Sequence, residues 1–220
     1  MRMNKRGMLI VFSGPSGCGK GTVLKALFSR RDDICYSVSV TTRAPRLGET
    51  DGVEYFFRTR KQFEEMIAKN ELFEYAAYNG NYYGTPKPPI EAWLAAGKHV
   101  LLEIEVQGAE KVMAQAKDCV SIFITAPSHA VLEQRLRGRG TEDETVIAGR
   151  LAAAKRELAK AEQYQYVVLN DEVEAAADRI EAIITAESLR YDRMKSVFLS
   201  LYPERCSFLS EASRPRFEIH

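Results

Sequence analysis

Apolar runs and helical repeats alternate along this chain of 220 residues. Met8–Phe12 is a short unbroken apolar run, the pattern of a strand buried on both faces. Val100–Glu105, Val120–Thr125 and Tyr166–Leu169 repeat that pattern. Between them apolar residues recur at helical spacing. Thr22–Ser29 carries Val23, Ala26 and Leu27 at i, i+3 and i+4, and further helices are predicted over Ile90–Ala96, Ala109–Ala116, Ser128–Arg137 and Val173 to about Tyr191. Buried strands alternating with helices predict an α/β fold, a parallel sheet with helices on both faces.

Two segments break the rhythm. From Tyr36 to Thr85 the apolar stretches are short and aromatic (YSVSV, VEYFF, LFEYAAY), separated by Gly48, Asp51-Gly52 and Asn79-Gly80. That pattern predicts a small β insert. One helix, Lys61–Lys69, lies inside it with Phe63, Met66 and Ile67 on one face. The second segment, Arg135–Asp143 (RLRGRGTED), is basic and punctuated by glycine. It enters Thr141-x-x-Glu144, a capping-box spacing that opens a long helix to about Glu162. The chain therefore divides into a core of residues 1–36, 87–134 and 151–200, an insert of 37–86, a second interruption of 135–150 and a tail of 201–220.

Composition narrows the function. With 45% hydrophobic and 28% charged residues the chain is ordinary globular protein. Thirty-one basic against thirty acidic side chains argue against nucleic-acid or anionic-membrane binding. Cys18, Cys35, Cys119 and Cys206 form no CxxC pair, and three histidines offer no zinc spacing. They read as reduced, mostly buried side chains. The apolar run at Met8 is shorter than a signal-peptide core, and no later run approaches a membrane span. A soluble cytoplasmic protein is expected.

Gly14-Pro15-Ser16-Gly17-Cys18-Gly19-Lys20 sits between the first strand and the first helix, with G-x-x-x-x-G-K spacing. Such glycines let backbone N–H groups turn inward as an anion nest, the helix N-terminus adds its positive end, and the lysine is a point cation for β- and γ-phosphates. Gly21 stands where a Mg²⁺-ligating Ser or Thr usually follows, and Thr22 comes one place later. A dinucleotide fingerprint fails, because its third glycine falls on Thr22. Downstream, Thr41-Thr42-Arg43-Ala44-Pro45-Arg46 brings two guanidiniums around a proline. Arginine forks match phosphate oxygens bidentately, and Tyr55 and Tyr83 can add phenolic donors. Taken singly, these are equally a solvated basic turn and core tyrosines.

Taken together, SVSVTTRAPRLGE, VEY, NELFEYA and GNYYGT, with GPSGCGK, VQGA, RGRGTE and LND at 169–171, resemble the guanylate kinase family, bacterial type, over nearly the whole chain. The resemblance implies a P-loop NTPase-like sheet with a mixed β insert for GMP, and it makes residues 135–150 a lid. It implies transfer of the γ-phosphoryl of ATP to GMP, and to dGMP, with Mg²⁺. It implies ATP at Gly14, Pro15, Ser16, Gly17, Cys18, Gly19, Lys20, Gly21, Thr22 and Asn170. Ser39, Glu74 and Thr85 fall on the guanine-contacting positions, and Arg43, Arg46, Tyr55 and Tyr83 on those for the GMP phosphate.

Guanine offers N–H donors that suit the Glu74 carboxylate and an O6 acceptor that suits a hydroxyl. Of the two acids ending VLLEIE, Glu103 is expected near hydrated Mg²⁺ and the acceptor, and Glu105 at guanine. Both stand where aspartate is common in the family. The family implies Lys20, Arg43, Arg135, Arg139 and Arg150 as the cations that stabilise the transferring charge, whereas Arg137 lacks a counterpart and reads as solvated. A peptide-binding relative without catalysis would lack a working phosphate loop. A sugar-phosphate kinase would lack the guanine set.

Overall fold

The computed structural model describes residues 6–78, 80–138 and 144–202. Five parallel strands form the central sheet: β1 (Leu9–Ser13), β2 (Ile34–Tyr36), β7 (His99–Glu103), β8 (Val120–Thr125) and β9 (Tyr166–Leu169), in the order β2-β7-β1-β8-β9. Side chains around β1 alternate between two cores. Met8, Ile10 and Phe12 join α1 (Lys20–Arg30), α5 (His129–Arg137), α6 (Glu144–Leu158) and α7 (Val173–Ser188) on one face. Leu9 and Val11 join α3 (Lys87–Ala95) and α4 (Val106–Gln115) on the other. Burial on both faces is why β1, β7 and β8 read as continuous apolar runs. β9 departs from that reading: at the sheet edge it leaves Val167 and Leu169 exposed. Among the described residues no helix is long and apolar enough to cross a membrane.

The insert is a second sheet of β3 (Val40–Thr41), β4 (Phe56–Phe57), β5 (Leu72–Tyr78) and β6 (Asn81–Pro86), ordered β4-β3-β6-β5. The β3–β4 pair is parallel and the other pairs are antiparallel, so the insert is mixed. Its helix α2 (Arg60–Ala68) opens on a capping box, Thr59 with Gln62, and presses Phe63 against Val40 and Leu72.

Several boundaries differ from the sequence reading. The Tyr36 end of the predicted insert belongs to β2, an edge strand of the central sheet with only Ile34 fully buried, too short for a periodic signal. β7 stops at Glu103 and α4 starts at Val106, so Glu105 is a helix N-cap rather than a strand end. The helix from Val173 ends at Ser188, and α8 (Tyr191–Leu201) follows, docked by Arg193 on Asp118. Helix α6 ends at Leu158, and a 3-10 turn, Ala161–Gln163, fills the remainder of the predicted span. Thr141 of the expected capping box lies outside the described residues, as do Arg139 and Cys206.

Candidate active site

The glycine-rich loop joins β1 to α1 at the carboxyl edge of the sheet, where open α/β sheets bind ligands. Gly17 and Gly19 hold φ of 85° and 90°, and Gly19 caps α1 in the left-handed conformation that only glycine adopts cheaply. A Cβ on Gly19 would meet Asn170 Nδ2 at 2.5 Å. That Nδ2 is committed: it donates to the Cys18 carbonyl at 2.7 Å. Arg135 donates to the Asn170 carbonyl at 3.0 Å and to Cys18 O at 3.4 Å, bracing the loop from α5. Lys20 Nζ donates to Gly14 O at 2.6 Å and Pro15 O at 3.2 Å, so its ammonium lies over the loop. Cys18 is fully buried, and burial raises its thiol pKa against the opposing pull of Lys20. Gly21 and Thr22 lie exposed in the first turn of α1. Asn170 is buried and, among the described residues, its Oδ1 acceptor has no hydrogen-bond partner.

The basic turn after β3 is built around an acid that sequence reading missed. Glu49 accepts a bidentate pair from Arg43 at 2.8 and 2.9 Å and the Arg46 backbone N–H at 2.7 Å. The Arg43 guanidinium, followed by that backbone N–H, lowers the Glu49 carboxyl to about 2. The same fork lies 5.3 Å from the Tyr55 ring centroid, and Tyr55 meets Tyr83 edge-on at 5.9 Å. Arg43, Tyr55 and Tyr83 are thus one cluster, with the Arg46 side chain exposed at its rim. The only signal for Glu49 was an acid three residues beyond Arg46.

The three expected base-contacting residues also converge. Thr85, buried on β6, donates its hydroxyl to Glu74 Oε1 on β5 at 2.8 Å. The Val40–Gly84 pairing brings Ser39 beside Thr85. Burial raises the Glu74 carboxyl, Thr85 and Lys111 oppose that rise, and Glu105 adds to it. Glu103 ends β7 next to Phe12 of β1 and accepts the Tyr36 hydroxyl at 3.3 Å. Burial first, then Glu103, pushes the Tyr36 phenol up to about 12. Tyr36 also feels Tyr55, so it stands between the insert and the sheet.

Behind Glu105, a cavity of about 270 Å³ separates α4 from α6 and reaches Glu110 and Glu157. Burial raises the Glu157 carboxyl, while Lys20 and the Ser16 N–H lower it, so α6 abuts the phosphate loop. Sequence reading singled out neither Tyr36 nor Glu157. Arg150 is half-buried on α6. Arg137 is exposed, as expected, and its surface pairs with Glu133 at 2.9 Å and Glu144 at 2.6 Å tie α5 to α6. Among the described residues, no group of three or more acids, histidines and cysteines is placed to hold a metal ion.

Residues 6–187 match the family model described as guanylate kinase. A guanylate kinase of Halalkalibacterium halodurans is 55% identical over 86% of this chain and 93% of its own length. One of Enterococcus faecalis is 50% identical over 92% of this chain and all of its own. The crystal structure of guanylate kinase from Anaplasma phagocytophilum superposes with a TM-score of 0.69 at 36% identity, covering 91% of this chain and 97% of that one. Its α/β core and insert are accounted for by that likeness, and with identity of this extent the chain belongs to the guanylate kinase family.

Proposed function

We propose that this chain carries out its family's reaction, transfer of the γ-phosphoryl of ATP to GMP, in the cleft between the glycine-rich loop and the insert. The observation that carries the reading is the Glu74–Thr85 pair beside Ser39, standing on the same sheet as the Arg43–Tyr55–Tyr83 cluster. A carboxylate accepts from guanine N1 and N2, a hydroxyl serves O6, and the arginine–tyrosine cluster takes the phosphate. An adenine would leave those groups unpaired, and sites of this kind discriminate by roughly 10⁴–10⁵. The insert, residues 37–86, is the acceptor domain, and residues 135–150 are the lid.

The donor phosphates lie on the N–H groups of residues 14–22, with Asn170 on the nucleotide side. A dissociative phosphoryl transfer leaves the protein little covalent work. Lys20 follows the charge on the transferring group, and Arg135, Arg139 and Arg150 add positive charge from the lid side. Arg43 orients the acceptor phosphate. Its attacking oxygen is already ionised at neutral pH, so no general base is needed. Mg²⁺ brought with ATP would supply neutralisation of the phosphate charge. Glu103 and Glu157, the carboxylates near the phosphate loop, would hold such an ion through its retained water rather than by a dedicated protein cage. Closure of the lid excludes water as a competing acceptor.

The chain acts in the cytoplasm on ATP and GMP, without nucleic acid or membrane, as monomer or homo-oligomer. A coupled assay of ADP release from MgATP with GMP, dGMP, AMP, UMP, CMP and ribose 1,5-bisphosphate tests the reading. Activity confined to GMP and dGMP is expected. Equal rates with AMP would overturn the base pocket, and preference for the sugar phosphate would overturn the acceptor assignment.

A further inference from the structure

Glu74 sits in the least regular part of the insert. β5 is the edge strand of its sheet, and its register with β6 shifts between Leu72 and Tyr75. Such irregularities interrupt the ladder and re-aim a side chain, and backbone groups beside them need other partners. Those partners come from α4, an element of the core. Lys111 Nζ donates to the Tyr75 carbonyl at 3.2 Å, and Gln115 Nε2 donates to the Phe73 carbonyl. The two accepting carbonyls belong to the residues immediately before and after Glu74.

Gly108, one turn before Lys111 on α4, completes the contact. A Cβ there would lie 2.7 Å from the Ile104 side chain and 3.4 Å from Glu74 Oε2. One carboxylate oxygen is therefore held by Thr85, and the other faces a helix surface kept bare.

We propose that Lys111 and Gln115 are positioning residues for guanine recognition, clamping the β5 backbone on both sides of Glu74 and so aiming its carboxylate. The proposal rests on the reading of Glu74 as the guanine acceptor. Both residues act through Glu74. Lys111 has a second effect that Gln115 lacks. The groups facing Glu74 are the Thr85 hydroxyl from β6 and Lys111 and Glu105 from α4. Lys111 is the cation among them. Without it, burial and Glu105 act on the carboxyl with less opposition, and guanine binding needs that carboxyl ionised.

The experiment is steady-state kinetics of the full chain across pH 5–9, varying GMP and ATP separately, for Lys111→Met, Lys111→Arg, Gln115→Leu and Glu74→Gln. Loss of one aiming hydrogen bond should raise KM for GMP roughly fivefold to tenfold in Lys111→Met and Gln115→Leu, with KM for ATP unchanged. In Lys111→Met alone the acid limb of kcat/KM for GMP should move to higher pH, and Lys111→Arg should restore it. GMP KM values within twofold of wild type in both variants, with Glu74→Gln impaired, would overturn the clamp and leave the guanine pocket standing. Parallel rises in both KM values with a fall in Tm would reduce α4 to a structural support and also overturn it. An unimpaired Glu74→Gln would remove the pocket and the clamp together.

Discussion

Gly19→Ala tests whether the geometry of the phosphate loop is set by close contact with the far end of the chain. The native residue has φ of 90°, where an L-residue costs about 1–2 kcal/mol. The new methyl would also stand 2.5 Å from Asn170 Nδ2. Asn170 has no free direction to yield, being 3% exposed and bonded to the Cys18 carbonyl. Pushing it aside leaves that carbonyl to the longer Arg135 bond at 3.4 Å, a loss of about 0.5–1.5 kcal/mol. The sum, about 1.5–3.5 kcal/mol, corresponds to a Tm lowered by roughly 3–14 °C for a chain of this size. Calorimetry with and without ATP, alongside isothermal titration of GMP, is the assay. The expected result is a lowered Tm, weakened ATP binding and unchanged GMP binding. Gly21→Ala is the control: among the described residues an added Cβ there meets nothing within 4 Å, and in a helix it should raise stability by up to about 1 kcal/mol. A Tm for Gly19→Ala within a degree of Gly21→Ala would refute the contact argument.

Lys20→Ala should abolish transfer while titration calorimetry still records GMP binding at wild-type affinity. Loss of GMP affinity with normal turnover would contradict its role at the donor phosphates. Glu49→Gln should loosen the Arg43 fork and raise KM for GMP about threefold to tenfold. Because the Glu49 carboxyl is lowered to about 2, the native pairing is complete above the ordinary carboxylate range and is lost only as pH falls toward that value. GMP binding by the native chain should therefore show no Glu49-dependent change between pH 6 and 8. Glu74 has the opposite sign. Its folded pKa is raised, so the folded state carries a cost at neutral pH that disappears as pH falls through that pKa. Glu74→Gln should consequently raise Tm at pH 7 while weakening GMP, and a lowered Tm measured by scanning calorimetry would contradict the direction of the shift.

The glycine-rich loop and the α/β alternation were legible in the sequence because both are local. Residues 14–20 are contiguous, and strands buried on both faces leave unbroken apolar runs. The guanine and phosphate residues were legible only through their match to a family, since Ser39, Glu74 and Thr85 carry no periodic or spacing signal of their own. The parts decided by tertiary structure are those whose partners lie far along the chain. Tyr36 meets Glu103 from β2, a strand too short to register as one. Asn170 reaches Cys18 across 152 positions and braces the loop, a contact that no local pattern announces. Glu157 approaches Lys20 only because α6 folds back over the sheet. The helix that clamps β5 does so through long polar side chains, Lys111 and Gln115, which along a sequence look like any solvated helix face. Local pattern records which face of a segment is apolar. It holds no record of which distant carbonyl or carboxylate a polar side chain will meet, because that depends on the packing of elements that are each apolar on their own account.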